Sequence, residues 1–206
     1  MKAYLEGWSI VLAGYWNHYI FSPEWITDKL TKSTKVSVEF PINTPFSPPR
    51  YRFDNVIMQF SVGELILHPE ASDDTTLETL KNLAGNILTE LPHTPIHAAG
   101  INFVFVEDDP SELLLNIFDI SDRESLSTKG FRIKSTKVER MLTLGEQTLN
   151  LLLQLKENNQ AYISLNFHMD VRDSGKAKEF IEANSISGLR DRAYKILDEL
   201  YDTSLS

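Results

Sequence analysis

Hydrophobic positions in this chain follow two rhythms. In some stretches they alternate with polar residues, the period of a strand with one buried face. In others they recur every three or four residues, the spacing of a helix laid on a core. From Tyr4 to Tyr15, Trp8, Ile10 and Leu12 alternate with Ser9, Val11 and Ala13, and the aromatic and β-branched content favours a strand. Lys35 to Ile42 sets Val36, Val38 and Phe40 on one side, which predicts a half-buried strand. Asn55 to Val62 and Glu64 to His68 predict a hairpin through Val62-Gly63, glycine supplying the positive φ of a tight turn. The stretch from Pro95 to Glu107 is apolar enough to be one long, mostly buried strand, and the other elements can be laid out on either side of it. Phe131 to Leu144 predicts a further strand long enough to bend. Thr148 to Lys156 and Gln160 to Val171 make a second hairpin around Asn158-Asn159, a residue type that tolerates left-handed backbone.

The helical rhythm starts at recognisable caps. Ser22-Pro23-Glu24 offers a hydroxyl cap, proline at the first helical position and an acid at the positive dipole end, with Trp25, Ile26 and Leu30 behind it to about Thr31. Asp73 or Asp74 caps a helix whose Leu77, Leu80, Leu83, Ile87, Leu88 and Leu91 form one stripe, stopped at Pro92. Asp109-Pro110-Ser111 repeats the cap-and-proline signal ahead of Leu113, Leu114, Ile117 and Phe118. Ser121 to Lys129 is a loop with a helical turn. After Ser174-Gly175 breaks the sheet, Lys176 to about Tyr201 is helical with an interruption near Ser185 to Gly188, and Leu189, Ala193, Ile196, Leu197 and Leu200 face inward. Pro41, Pro45, Pro48 and Pro49 mark a surface loop or sheet edge, because proline removes ladder donors.

These elements divide into two similar halves, residues 1–93 and 94–206, each ordered strand, helix, three strands, helix. The predicted fold is α+β, with mostly antiparallel sheets covered by helices, the two units back to back around one shared core in one compact unit. This element order resembles the tandem strand-helix-strand-strand arrangement of gyrase-inhibitor-like ligand-binding domains and of SOUL haem-associated domains. The resemblance is one of topology, and no residue is carried over from either family.

Composition narrows the function. At 42% hydrophobic and 24% charged, 206 residues can bury a substantial core, and no run approaches the roughly 18 apolar residues of a membrane helix. Glu6 interrupts the only early apolar run, so no signal-peptide pattern is expected, and the absence of cysteine fits a reducing compartment. The expected location is cytoplasmic. The net charge of −9 is shared by the halves: 7 Lys/Arg against 11 Asp/Glu gives −4 in the first, and 13 against 18 gives −5 in the second. Nucleic acid binding is disfavoured, since a duplex binder concentrates positive charge. The one basic stretch, Lys129, Arg132, Lys134, Lys137 and Arg140, reads as a solvated strand face.

Candidate chemistry is sparse. His93 and His97 stand four apart, but Pro92 and Pro95 forbid the helix that would bring them to one metal, and without thiolates a zinc site would need several of His18, His68, His93, His97 and His168 to converge. No metal or other cofactor is expected. Asp73-Asp74 and Glu107-Asp108-Asp109 stand at helix starts, where capping accounts for them. Glycine-rich phosphate loops, a nucleophile elbow and kinase signatures are all missing.

The most suggestive local feature is aromatic. All three tryptophans fall between Trp8 and Trp25, with Tyr15, Trp16, His18, Tyr19 and Phe21 among them. Trp8 and Trp25 are expected in the core, whereas Tyr15, Trp16, His18 and Tyr19 are candidates for a partner hot spot. The leading expectation is a non-enzymatic interaction protein that binds another macromolecule, either a protein partner or a second copy of itself. The alternatives are a small-molecule module, with a pocket between the halves lined by aromatics and a carboxylate such as Glu39 around a small hydrophobic ligand, and an enzyme of unrecognised type.

Overall fold

The computed structural model describes residues 1–31, 35–40 and 48–203. Its strands are β1 (Lys2–Ala3), β2 (Ser9–Gly14), β3 (Ser37–Glu39), β4 (Arg50–Phe53), β5 (Val56–Ser61), β6 (Glu64–Pro69), β7 (Ile96–Glu107), β8 (Ser135–Leu144), β9 (Gln147–Lys156) and β10 (Ala161–Asp170). They form one antiparallel sheet in the order β3-β4-β5-β6-β2-β7-β10-β9-β8, with β1 pairing the far end of β7. The helices are α1 (Pro23–Lys29), α2 (Asp74–Glu90), α3 (Glu112–Asn116), α4 (Arg123–Thr128), α5 (Ser174–Ala183) and α6 (Ile186–Tyr201). The α+β class therefore holds, and the predicted central strand lies at the middle of the sheet.

The halves do not stand back to back. Residues 1–93 and 94–206 join edge to edge through β2 and β7, with Ser9 opposite Asn102 and Leu12 opposite Ala99, so their strands continue one sheet. A single core lies on one side of it, where α2 packs against β2, β5 and β6 while α5 and α6 reach β7 and touch α2. Alternation explains which residues point there. Ile10, Leu12, Leu65, Leu67, Ile101, Phe103, Phe105, Ile163, Leu165 and Phe167 are all fully buried, each contributing about 1.5–3 kcal/mol by leaving water. Trp8 joins them, its indole N–H donating to the Val104 carbonyl at 2.9 Å and its ring edge-on to Phe103.

The opposite face carries the alternate residues, and its most ordered feature is a row of amides. Asn150 donates to Asn166, Asn166 to Asn102 and Asn102 to the Ser9 hydroxyl, at 2.9, 2.7 and 3.0 Å. The strand register places these residues directly opposite one another, so Asn166 and Asn102 each accept from one neighbouring strand and donate to the other.

Several predicted boundaries move for local reasons. The strand expected from Tyr4 is β2 and starts at Ser9, because a 3-10 turn at Leu5–Gly7 lies against Val104 where a straight strand would run. The third cap is Ser111, whose hydroxyl accepts from the Leu114 amide at 3.2 Å; Pro110 stands just before the cap and is not the first helical residue. Phe131 is outside β8 and 62% exposed. A strand not foreseen, β4, pairs with β3 and β5, so the first half has four strands after its first helix. Pro48 and Pro49 precede it outside the sheet, while Pro41, Pro45 and the expected strand end at Ile42 lie outside the described residues.

Candidate functional site

Two places on the molecule gather side chains that could bind a partner or ligand, and both are set by sheet geometry. The first is the end of the sheet where β2 runs out. There the Gly14 amide donates to the Gly63 carbonyl at 2.8 Å and the Tyr15 amide to the Pro95 carbonyl at 3.0 Å. A side chain at Gly14 would stand 2.3 Å from the Pro95 oxygen, so only glycine allows this approach. The chain then turns through a 3-10 segment, His18–Ile20, with the Asn17 side chain accepting from the Tyr19 amide at 3.2 Å.

This turn sorts the aromatics. Trp16 folds inward: its indole N–H donates to the Leu12 carbonyl at 2.8 Å, and its ring lies edge-on to buried Phe21. Trp25 packs on the other side of Phe21, with ring centroids 5.0 Å apart. Tyr15 and Tyr19 are left outside at 80% and 85% exposure. The His18 ring stacks beneath Tyr19, with centroids 4.1 Å apart, and leans towards Phe60. Val62 is wholly exposed at the β5–β6 turn, whose Gly63 accepts the hydrogen bond from Gly14, and Ile20 adds a partly exposed side chain. The result is an aromatic and aliphatic tip on a pinned backbone. Val62 and Ile20 were not among the sequence candidates, although a valine beside the turn glycine is a legible sign of an exposed apolar group.

Glu39 lies elsewhere. It sits on β3, four strands from β2, and its carboxylate is 3.1 Å from an Arg52 guanidinium nitrogen. Arg52 also pairs with Glu70. Of the candidates, His18 and Tyr19 stack on one another, Trp16 turns inward to Phe21, and Glu39 lies apart from all of them.

The second place is a cleft of about 610 Å³ on the sheet face away from the core. Its charged and polar walls are Arg50, Arg52, Gln59, His68, Glu6 and Glu70, and Leu5, Ile57 and Pro69 supply its apolar surface. All of these belong to residues 1–93, so this cleft is not between the halves. A chain of hydrogen bonds crosses it. His68 Nδ1 is 3.0 Å from the Trp8 carbonyl, His68 Nε2 is 3.0 Å from Gln59 Nε2, and Gln59 Oε1 receives Arg50 Nε and Nη2 at 3.0 and 2.9 Å. Each link fixes the next: a carbonyl only accepts, so Nδ1 carries the proton, Nε2 accepts the amide N–H, and the amide oxygen faces the guanidinium. Burial pushes the His68 pKa down and the Arg50 charge adds to this, against the Trp8 carbonyl, which favours the charged ring.

The remaining histidines stay apart. His93 and His97 are exposed, and His168 is 3.2 Å from the Asp170 carboxylate. Among the described residues, no three histidine or carboxylate side chains converge as a metal site, and no helix is long and apolar enough to cross a membrane. No protein-family model matches the chain, and comparison with curated proteins and with solved structures gives no match.

Proposed function

We propose that this chain is a binding protein that docks another protein through the tip formed by Tyr15, His18, Tyr19, Ile20 and Val62. The observation that carries this reading is the pair of tyrosines at 80% and 85% exposure on a backbone fixed at Gly14, Tyr15 and Asn17. A folded chain gains nothing by holding two aromatic rings in water. A partner gains from a backbone that is already placed, because the segment carrying the rings does not have to be ordered on association. Tyrosine suits such a centre, with a large apolar face and a hydroxyl that pairs with polar groups at the rim.

The test is site-directed photocrosslinking in the native lysate, with p-benzoylphenylalanine at Tyr19, at Val62 and at Lys195, whose side chain on α6 is 72% exposed. A common adduct at Tyr19 and Val62, missing at Lys195 and lost on Tyr15→Ala, supports the reading. An adduct at twice the chain mass makes the partner a second copy. The same spectrum of adducts at all three positions would refute it.

A further inference from the structure

The hydrogen-bond chain across the open face ends in a charge that has no counterion among the described residues. Arg52, the other arginine of the cleft, is held by Glu39 and Glu70 together. Glu6 accepts the Tyr4 hydroxyl at 2.7 Å. Arg50 has only an amide: both of its bonds go to one oxygen of Gln59, and among the described residues no carboxylate lies within ion-pair distance of it. A guanidinium has two edges that can grip a planar anion, the side-on pair Nε with Nη2 and the end-on pair Nη1 with Nη2. Gln59 takes the side-on edge, which leaves Nη1 and the second N–H of Nη2 without partners among the described residues.

We propose that this cleft is a binding site for a small organic acid, with its carboxylate on the end-on edge of Arg50 and its apolar body against Ile57, Leu5 and Pro69. The site stands independently of the aromatic tip. Three features select this ligand class. Gln59 and His68 hold the guanidinium in place down to the Trp8 backbone, so the arginine does not have to be ordered on binding. The neighbouring carboxylates Glu70 and Glu6 repel a dianion, so one negative charge is favoured over a phosphate monoester. The volume of about 610 Å³ is within the range of about 300–1,000 Å³ typical of small-molecule sites, with apolar walls for a body larger than acetate.

Isothermal titration calorimetry on the full chain tests this with benzoate, phenylacetate and indole-3-acetate, their neutral amides, and inorganic phosphate. At least one aryl carboxylate is expected to bind about tenfold or more tightly than its amide, with phosphate weaker than that acid. Arg50→Lys keeps the charge but loses the fork, and is expected to weaken binding about tenfold. Gln59→Glu places a carboxylate on Arg50 without changing side-chain size and is expected to abolish acid binding while circular dichroism stays unchanged. The His68 nitrogen shifts of the free protein are expected to report the Nδ1–H form and to move when the acid is added. Amides that bind as well as acids, an Arg50→Lys chain that binds as the wild type does, or no saturation by any acid at about 10 mM would each overturn the assignment; that last ceiling is about ten-thousandfold weaker than micromolar binding.

Discussion

Replacing Tyr15, Tyr19 and Trp16 by alanine, one at a time, separates recognition from scaffold within one short segment. Tyr15 and Tyr19 are 80% and 85% exposed, and no hydrogen bond of either hydroxyl is formed among the described residues. Their loss removes little contact, so each alanine is expected to change stability by less than about 0.5 kcal/mol. Trp16 is different. Its indole N–H donates to the Leu12 carbonyl in the middle of the β2 region, and its ring shields Phe21. The lost hydrogen bond accounts for about 1 kcal/mol, and the partly buried ring for a further 1–2 kcal/mol, less than the 3–5 of a fully buried aromatic. Urea unfolding should therefore give Trp16→Ala an unfolding free energy lower by about 2–3 kcal/mol, seen as an earlier midpoint at unchanged slope, with both tyrosine variants on the wild-type curve. Partner adducts should show the reverse order, with each tyrosine costing about 2 kcal/mol or more of affinity if it is an interface hot spot. A Tyr19→Ala chain as destabilised as Trp16→Ala would mean that the tip is structural, and the sorting of the aromatics described above would be wrong.

Three further outcomes follow from single contacts. His68 has a depressed pKa in the fold, so below its ordinary value of 6.5 the unfolded chain binds the proton more readily than the native one; stability is full above that pH and falls as pH drops towards the folded value. Urea titrations at pH 7 and pH 5 should show this loss, with a slope no steeper than about 1.4 kcal/mol per pH unit from this group, and His68→Gln should flatten it. Gly14→Ala sets a methyl 2.3 Å from the Pro95 backbone oxygen and is expected to cost about 2 kcal/mol or more, a melting temperature equal to wild type being the contrary result. Asn166→Leu removes a donor to Asn102 and an acceptor for Asn150, for an expected loss of about 1–3 kcal/mol that Asn102→Leu should not add to in full, because the two share a bond; strict additivity in the double variant would show that the row does not act as a unit.

Strands and helices with a clear period could be read from the chain before any coordinates. Val62-Gly63 and Asn158-Asn159 fall at the hairpin turns, with Gly63 and Asn159 at positive φ, and Ser22 and Asp73 cap their helices through side-chain oxygens. What escaped had no period long enough to show. Strand β4 is four residues between a diproline and the turn at Asp54-Asn55; its Tyr51 and Phe53 point to the core, but two positions cannot establish alternation. That omission hid Arg50 and Arg52, both arginines of the cleft. The aromatic cluster was legible because its members are adjacent in sequence. The cleft was not, because Glu6, Arg50, Gln59 and His68 meet only after four strands have paired, and pairing is decided by the packing of distant residues.

The same physics argues for where this sheet can accept company and where it cannot. A sheet with two open edges invites pairing by other chains, and long, flat, apolar edges are the dangerous ones. At one edge β3 is only three residues, with Glu39 tied to Arg52. At the other, β8 is ten residues, and its outward row Ser135, Lys137, Glu139, Met141 and Thr143 places both signs of charge along the strand. Met141, at 78% exposure, is flanked by Glu139 and Thr143 and opposed by Asn150, so a hydrophobic strand added there would bring apolar groups against an amide and a carboxylate. Main-chain augmentation is thereby discouraged at both ends. Apolar side chains are instead exposed at the end of β2, where the backbone amides of Gly14 and Tyr15 are already bonded within the fold. A partner docking there must do so through side chains, which makes recognition depend on the shape of the tyrosine tip and not on the sheet's own hydrogen bonds.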